Sequence, residues 1–456
     1  MKVGVAVLAA GQGTRMRSAR PKVLHPLAGR PLLAHCLDAA HAVGAAQICV
    51  VYGHGGETVR AALAGYACDW VEQGERLGTG HALMQALPSL SDVDRILVLY
   101  GDVPLVEPRT LARLIGQAEQ SRLALLTTQL GDPAGYGRVV RDDAGRVVRI
   151  IEHKDANEVE REITEINTGI LVADRALLAD WLGRIDNANA QGEYYLTDVI
   201  GLAVADGVQV ATAEPASWHE VAGVNDRVQL AELERVYQRR VADALMRSGV
   251  TLADPARLDV RGRLVAGSDT FIDVNVVIEG EVHLGEGVEI GPNCLLRDCT
   301  IGAGSQVLPN CVIEGARVGA GARVGPFARL RPAAELADAT HVGNFVEVKK
   351  ARIGAGSKVN HLSYIGDAEI GRDVNVGAGT ITCNYDGANK HKTLIGDGAF
   401  IGSNTALVAP VQVGAGATIG AGSVIAIDAP PDRLTLARAQ QKTLEFWVRP
   451  CKVPED

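Results

Sequence analysis

The distribution of apolar positions divides this chain of 456 residues in two. From Ile272 onward an aliphatic residue returns every six positions, at Ile278, Leu284, Ile290 and Leu296. After a step of five the beat resumes at Ile301, Val307 and Ile313, then through Val318, Val324, Leu330, Leu336, Val342 and Val348. It continues at Ile353, Val359 and Ile365, and at Ile370 and Val376. An irregular stretch follows, and Ile395, Ile401, Leu407, Val413, Ile419 and Ile425 complete the series. Of these 25 positions, 14 are followed directly by glycine. An α-helix turns every 3.6 residues and cannot keep a beat of six. Short strands joined by tight turns can, with inward aliphatics stacked coil on coil. Glycine is expected to supply the positive φ of the corners. The pattern predicts a parallel β-helix of hexapeptide repeats.

The first half reads differently. Val3–Leu8, Gln47–Tyr52, Arg95–Tyr100, Ala124–Gln129 and Thr168–Val172 read as strands, several apolar on both faces. Pro31–Val43, Gly55–Leu63, Thr79–Leu87 and Pro108–Gln120 read as helices between them. Such alternation predicts a doubly wound, Rossmann-like α/β domain over a parallel sheet. Residues 226–248 carry apolar positions at helical spacing, with Gly249 as a stop, and predict a connecting helix. The expected division is 1–227, a helical linker at 228–248, and 249–456. Ala429-Pro430-Pro431 should end the repeats, and Leu434–Val448 reads as a last helix carrying Arg438 and Lys442.

Composition narrows the function. A net charge of −9 argues against a nucleic-acid or anionic-membrane surface, so no nucleic acid and no membrane is expected as partner. No apolar run reaches the roughly 18–20 residues of a membrane span. The apolar start at Val3 is broken at once by Gly11-Gln12-Gly13 and reads as a buried strand, not a leader. The eight cysteines form no CxxC pair and read as reduced thiols of a cytoplasmic protein.

Two clusters in the first half carry chemistry. The first strand opens into Leu8-Ala9-Ala10-Gly11-Gln12-Gly13-Thr14-Arg15, with Pro21-Lys22 beyond. Small residues let backbone N–H groups approach phosphates, and Arg15 and Lys22 supply positive charge. An ordinary β–α turn with surface bases would look alike. Strand Arg95–Tyr100 runs into Gly101-Asp102, which places a carboxylate at the ligand end of the sheet, suited to Mg²⁺. A turn residue before Pro104 is the alternative.

In the second half, the departures from the repeat matter. Arg331 and Lys349 lie 18 residues apart, three hexapeptides, as do Lys349 and a position near 367, and His361 and Gly379. Stacked coils should set Arg331 over Lys349, and two stacked cations repel unless an anion such as a sugar phosphate lies between them. His361 could act as a general base, or be a solvated coil histidine. Thr382–Lys392 breaks the beat and must loop out.

Together, LAAGxGTRM, the following Pro21-Lys22 and Tyr100-Gly101-Asp102-Val103-Pro104-Leu105 resemble the sugar-phosphate nucleotidyltransferases. With the hexapeptide half, nearly the whole chain is similar to the bifunctional bacterial N-acetylglucosamine-1-phosphate uridyltransferase and glucosamine-1-phosphate N-acetyltransferase family. The resemblance implies a left-handed β-helix, a homotrimer, UTP and acetyl-CoA as substrates, Mg²⁺, and a product that feeds peptidoglycan and lipopolysaccharide synthesis. It implies that Leu8, Ala9, Ala10 and Gly11 line the nucleotide, that Arg15 and Lys22 act on the phosphates, and that Gln73, Gly78 and Thr79 read the uracil. Tyr100, Gly101 and Asp102 would bridge nucleotide and metal, with Asn225 the second metal ligand. Gly137, Glu152 and Asn167 would contact the N-acetylated sugar. Gln12 stands where relatives commonly carry lysine. In the second half it implies His361 as general base, with Arg331, Lys349, Tyr364 and Asn375 on glucosamine 1-phosphate. Ala378, Asn384, Tyr385, Ser403, Ala421 and Arg438 would contact acetyl-CoA. A nucleotidyltransferase of single activity, its β-helix serving only to trimerise, is the alternative, and a different acyltransferase is a third.

Overall fold

The structure, a computed structural model, describes residues 1–53 and 55–452. The chain forms two compact units that meet in sequence at Arg240 and Val241, inside the single helix Arg227–Arg247. The early turns of that helix bring Leu233 into a small core with Met16, Leu27 and Leu32. Its last turns bring Leu245 into the core of the second unit.

The first unit is built on strands β1 (Val3–Ala9), β2 (Gln47–Tyr52), β3 (Asp69–Glu72), β4 (Arg95–Tyr100), β5 (Leu123–Gln129), β6 (Glu165–Asp174) and β7 (Val210–Ala213). They lie in the order β7-β5-β6-β4-β1-β2-β3. Alternate residues bury against helices on opposite faces. Val5, Val7, Leu97 and Leu99 enter one core, and Ala6, Leu8, Ile96 and Val98 the other. This is why both strands read as continuous apolar runs. Strand order reverses at β1, so the chains leaving β1 and β4 diverge and open a crevice at their carboxyl ends.

Among the seven strands of that order, one departs from the expected parallel sheet. Strand β6 runs antiparallel to both β4 and β5. The chain leaving β5 makes a hairpin, Arg138–Arg141 with Val147–Ile151, and never crosses back to the far end of the sheet. It must therefore re-enter from the carboxyl end and run backwards. That excursion delivers Gly137, Glu152 and Asn167 to the crevice side.

The second unit is the expected parallel β-helix. Short strands form three stacks, one per side of a prism, most of them pairing with the coil 17 or 18 residues on. The longest offset, 25 residues from Asn375 to Phe400, spans the looped-out segment. All 25 six-beat aliphatics are buried in one core. Burying each contributes about 1.5–3 kcal/mol before chain entropy is counted. A second, smaller residue also turns inward two positions earlier, as with Ala316 before Val318 and Ala322 before Val324. Some of these are hydroxyls bonded to corner carbonyls, such as Ser305 Oγ to Gly319 O at 2.8 Å.

Two expectations are corrected here. The glycines after the aliphatics do not supply the positive φ; of the 14, only Gly325 has it. Most are glycines because the next coil passes too close. A Cβ on Gly285 would stand 2.6 Å from the backbone nitrogen of Ala303. Positive φ falls further round the turn, at Gly287 or Asn293 for instance. The last segment is also not a helix. Leu434–Thr435 forms a strand, and the described residues beyond it, 436–452, form no helix or strand. Thr418 N and Gly420 N bond Arg433 O and Thr435 O at 2.9 and 3.0 Å. The open edge of the last coil thus draws the segment in as one more rung, which satisfies its backbone.

Candidate functional site

The crevice of the first unit holds a cavity of about 270 Å³ at the switch point. Leu8, Ala9, Ala10 and Gly11 from the end of β1, Lys22, Gln73, Gly78, Thr79, Tyr100 and Asp102 line it together. Arg76, which lies between Gln73 and Gly78 in sequence, and Glu193 join them, and the sequence assigned a role to neither. Gly101 sits just behind, where a Cβ would press on Ala9 at 3.0 Å. Arg15 lies outside the lining, exposed on the one-turn helix Thr14–Met16.

Gln73 is buried, and its amide nitrogen lies 3.1 Å from both Gly78 O and His81 Nδ1. With His81 Nδ1 as acceptor both N–H bonds are engaged, and the carbonyl oxygen has no hydrogen-bond partner among the described residues. Gly78 has φ 105°, and Tyr194 O would meet a Cβ there at 2.6 Å, so only glycine fits this loop. Residues 193–196 clamp it, with Tyr194 N on Leu77 O at 2.7 Å and Leu196 N on Thr79 Oγ1 at 3.2 Å.

Lys22 pairs with Asp102 Oδ2 and reaches Asn225 Oδ1 at 3.4 Å. Val224 N donates to Asp102 O at 2.8 Å, which fastens the loop carrying Asn225 to the end of β4. Beyond Tyr100, the Gly137–Glu152–Asn167 group assembles. Asn167 N donates to Gly137 O at 2.8 Å, and Thr197 Oγ1 to Glu152 Oε1 at 3.0 Å. Burial raises the Glu152 carboxyl above its ordinary range. Burial, then Glu152 and Asp102, raises the Tyr100 phenol, so Tyr100 feels both groups. Glu152 also borders a second cavity of about 470 Å³ with Asp155, Asp186 and Asp198.

In the β-helix, one column of side chains runs Arg261, Glu279, Arg297, Glu314 and Arg331, set by the coil register. Arg261 pairs with Glu279 at 3.2 Å and Arg297 with Glu314 at 2.9 Å. Charge alternates for five rungs, and the sixth is Lys349 where alternation calls for an acid. Arg331 and Lys349 therefore stack as the spacing predicts. The next rung is Gly366, because that coil has 17 residues and not 18. Glu347 pairs with Arg331 at 2.7 Å from the side. Lys390 of the loop, then Arg331, holds the Lys349 ammonium below its ordinary value. Three cations crowd one spot, and an anion would relieve them. Tyr364 folds over Gly366 beside it, where a Cβ would meet its ring.

A second column holds Asn344, His361, Ala378, Ser403 and Ala421. Asn344 and His361 are register partners, and the neighbouring pairs Val359–Val376, Val376–Ile401 and Ile401–Ile419 fix the rest. His361 Nδ1 lies 2.8 Å from Asn344 Oδ1. An amide oxygen there accepts a hydrogen bond from Nδ1–H, which leaves the Nε2 lone pair free to act as base. The motifs gave no sign of Asn344; only the offset of 17 from His361 could have. Arg438 Nη1 bonds Ala421 O at 3.0 Å, which joins it to the column. Asn375 starts the strand of this stack that leads to Ala378. The two columns lie on adjacent sides of the prism, separated by the corner at Leu362.

The looped-out segment is a tight excursion. Asn384 is buried at its base and bonds Asp367, and Tyr385 is exposed and bridges to Lys390. Asp386 accepts from Asn389 N, His391 and Ala388 N, which holds its carboxyl well below the usual range.

Comparison with known proteins finds a match to the MobA-like NTP transferase domain over residues 5–166. The GMPPB C-terminal domain matches residues 260–353, and the bacterial transferase hexapeptide (six repeats) matches 392–426. Relatives match end to end. The Bifunctional protein GlmU of Azoarcus sp. (strain BH72) is 59% identical over 448 residues, 98% of this chain and 99% of that one. Its counterpart in Aromatoleum aromaticum is 59% identical over 448 residues, 98% of each chain. That of Alkalilimnicola ehrlichii is 59% identical over 453 residues, 99% of this chain and 98% of the other.

Proposed function

The chain belongs to the bifunctional GlmU family, and on that premise we propose how its two sites divide the work. It is an enzyme with two activities. The β-helix unit moves acetyl from acetyl-CoA to the amine of glucosamine 1-phosphate. The first unit then joins N-acetylglucosamine 1-phosphate to the uridylyl group of UTP and releases pyrophosphate. The product is UDP-N-acetylglucosamine.

For acetyl transfer, the observation that carries the reading is the Arg331–Lys349 break in an otherwise alternating column of charge. The phosphate of glucosamine 1-phosphate takes the place of the missing acid, with Tyr364 and Asn375 on the sugar. His361 Nε2 removes a proton as the amine nitrogen bonds the thioester carbonyl carbon. The tetrahedral adduct then expels the CoA thiolate. CoA lies along the column of Ala378, Ser403 and Ala421, with Asn384, Tyr385 and Arg438 beside it. The assembly is a homotrimer in which neighbouring prisms cover these exposed columns, and the enzyme works in the cytoplasm.

For uridylyl transfer, the free carbonyl of Gln73 accepts the N3–H of uracil, a donor that cytosine lacks. Leu8–Gly11 and Thr79 flank the nucleotide, and Lys22 and Arg15 neutralise its phosphates. Gly137, Glu152 and Asn167 hold the sugar so that its phosphate oxygen attacks the α-phosphorus in line. The P–O bond to pyrophosphate breaks as the new one forms. Magnesium fits Asp102 and Asn225, because two oxygens from separate segments already converge on the Lys22 ammonium. When bound, Mg²⁺ neutralises charge on the phosphates.

The two half-reactions are assayed separately on the full chain. CoA release should need glucosamine 1-phosphate, and pyrophosphate release should need UTP, Mg²⁺ and N-acetylglucosamine 1-phosphate. Pyrophosphate release with no CoA release would leave a single-activity enzyme.

A further inference from the structure

Lys22 stands where the proposed magnesium would bind. Its ammonium lies against Asp102 and 3.4 Å from Asn225 Oδ1. The lysine side chain is only 11% exposed, and Asp102 only 20%. Its stem is held from several sides. Gly13 has φ 63°, and a Cβ there would meet Lys22 Cβ at 2.6 Å, so the glycine loop closes directly over the lysine. Val23 and Leu24 follow in the same one-turn helix and are buried. A carboxylate sequestered in a crevice without a partner is strongly disfavoured, and the ammonium removes that penalty. Yet the same amine is needed on the nucleotide phosphates. One ammonium cannot neutralise Asp102 and a triphosphate equally well.

We infer that Lys22 is an internal counter-ion, which holds the Asp102–Asn225 pair until a divalent cation displaces it and frees its amine for the phosphates. This rests on the metal reading above. Metal and phosphate binding are then linked, since each favours the lysine position that the other requires. The free enzyme should bind a divalent cation weakly. If the lysine occupies the pair in about nine molecules of ten, the apparent dissociation constant is raised about tenfold.

The test uses the full chain without nucleotide, titrated with Mn²⁺ and followed by the electron paramagnetic resonance signal of free Mn²⁺. Lys22→Met removes the amine and keeps the stem. It should tighten Mn²⁺ binding about tenfold. Lys22→Gln should do the same, which guards against a collapse peculiar to one variant, and circular dichroism checks that each folds. Arg15→Met removes a cation from the neighbouring exposed turn and should change the affinity less than about twofold, because solvent screens it. Asp102→Asn should abolish the site. The inference is overturned if Asp102→Asn abolishes binding while neither Lys22 variant tightens it. It is also overturned if Arg15→Met tightens binding as much as Lys22→Met, since net charge alone would then explain the effect. If Asp102→Asn leaves Mn²⁺ binding unchanged, the metal reading itself fails and the inference goes with it.

Discussion

Replacing Asn344 by alanine tests whether His361 is a prepared base. The Asn344 amide oxygen lies 2.8 Å from His361 Nδ1 and is the only group recorded on that nitrogen among the described residues. The bond fixes the tautomer whose Nε2 lone pair can take a proton. A net hydrogen bond of this kind is worth about 1–1.5 kcal/mol. Loss of it should therefore lower kcat for acetyl transfer roughly tenfold, with little change in KM for either substrate. Pyrophosphate release by the same protein serves as an internal control and should be unchanged. Asn344→Asp supplies a charged acceptor, which keeps the orientation but favours the imidazolium. Its kcat should be partly restored at high pH, with the acid limb of the pH profile moved upward. CoA release measured by thiol titration across pH 6–9 would read both effects. The reasoning fails if Asn344→Ala keeps full kcat, or if Asn344→Asp leaves the acid limb where it was.

Other outcomes follow from the same structure. Lys349→Glu restores the alternation of charge below Arg331, so it should raise the melting temperature by about 1–2 °C, the value of an exposed pair, while acetyl transfer falls at least a hundredfold; a lower melting temperature would contradict this. Gly302→Ala would set a Cβ 2.6 Å from Ala320 N, between two rigid coils, and should cost about 1–3 kcal/mol, read as a lower melting point with no change at the uridylyl site. Burial, then Asp186, Glu152 and Asp155, pushes the Asp198 carboxyl up to about 6. Its folded form keeps the proton longer than its unfolded form, so the cost to stability is absent below about pH 4 and complete above about pH 6. Asp198→Asn should therefore stabilise the protein by about 1 kcal/mol at pH 8, discounted for partial exposure, with no gain at pH 4 in matched melts.

The β-helix was legible because its signal is periodic and its core is narrow. Every aliphatic of the six-beat is buried, since only one inward direction exists on each short strand. The second inward residue was hidden, because Ala, Ser and Thr at that place look like surface residues. The role of the glycines was misread for a related reason: a sequence does not display the approach of a neighbouring coil. Leu434–Val448 looked helical because its local preference was not outbid by anything visible; the unpaired edge of the last coil outbid it. In the first unit, runs such as Ile96–Leu99 gave the sheet, but the direction of β6 depends on which end the chain re-enters. Arg331 and Lys349 were found by arithmetic on the repeat. Asn344 and Glu193 belong to no motif, Arg76 had no role within the Gln73–Thr79 stretch, and all three needed coordinates.

The central claim is that two chemically independent sites act in series, one per unit. His361→Ala and Asp102→Asn proteins, each supplied with glucosamine 1-phosphate, acetyl-CoA, UTP and Mg²⁺, test it most directly by the yield of UDP-N-acetylglucosamine. Each alone should make almost none, and the two mixed should make it readily, because N-acetylglucosamine 1-phosphate passes from one protein to the other. A mixture as inactive as its parts, or a His361→Ala protein that still makes the product from glucosamine 1-phosphate at the native rate, would contradict the account.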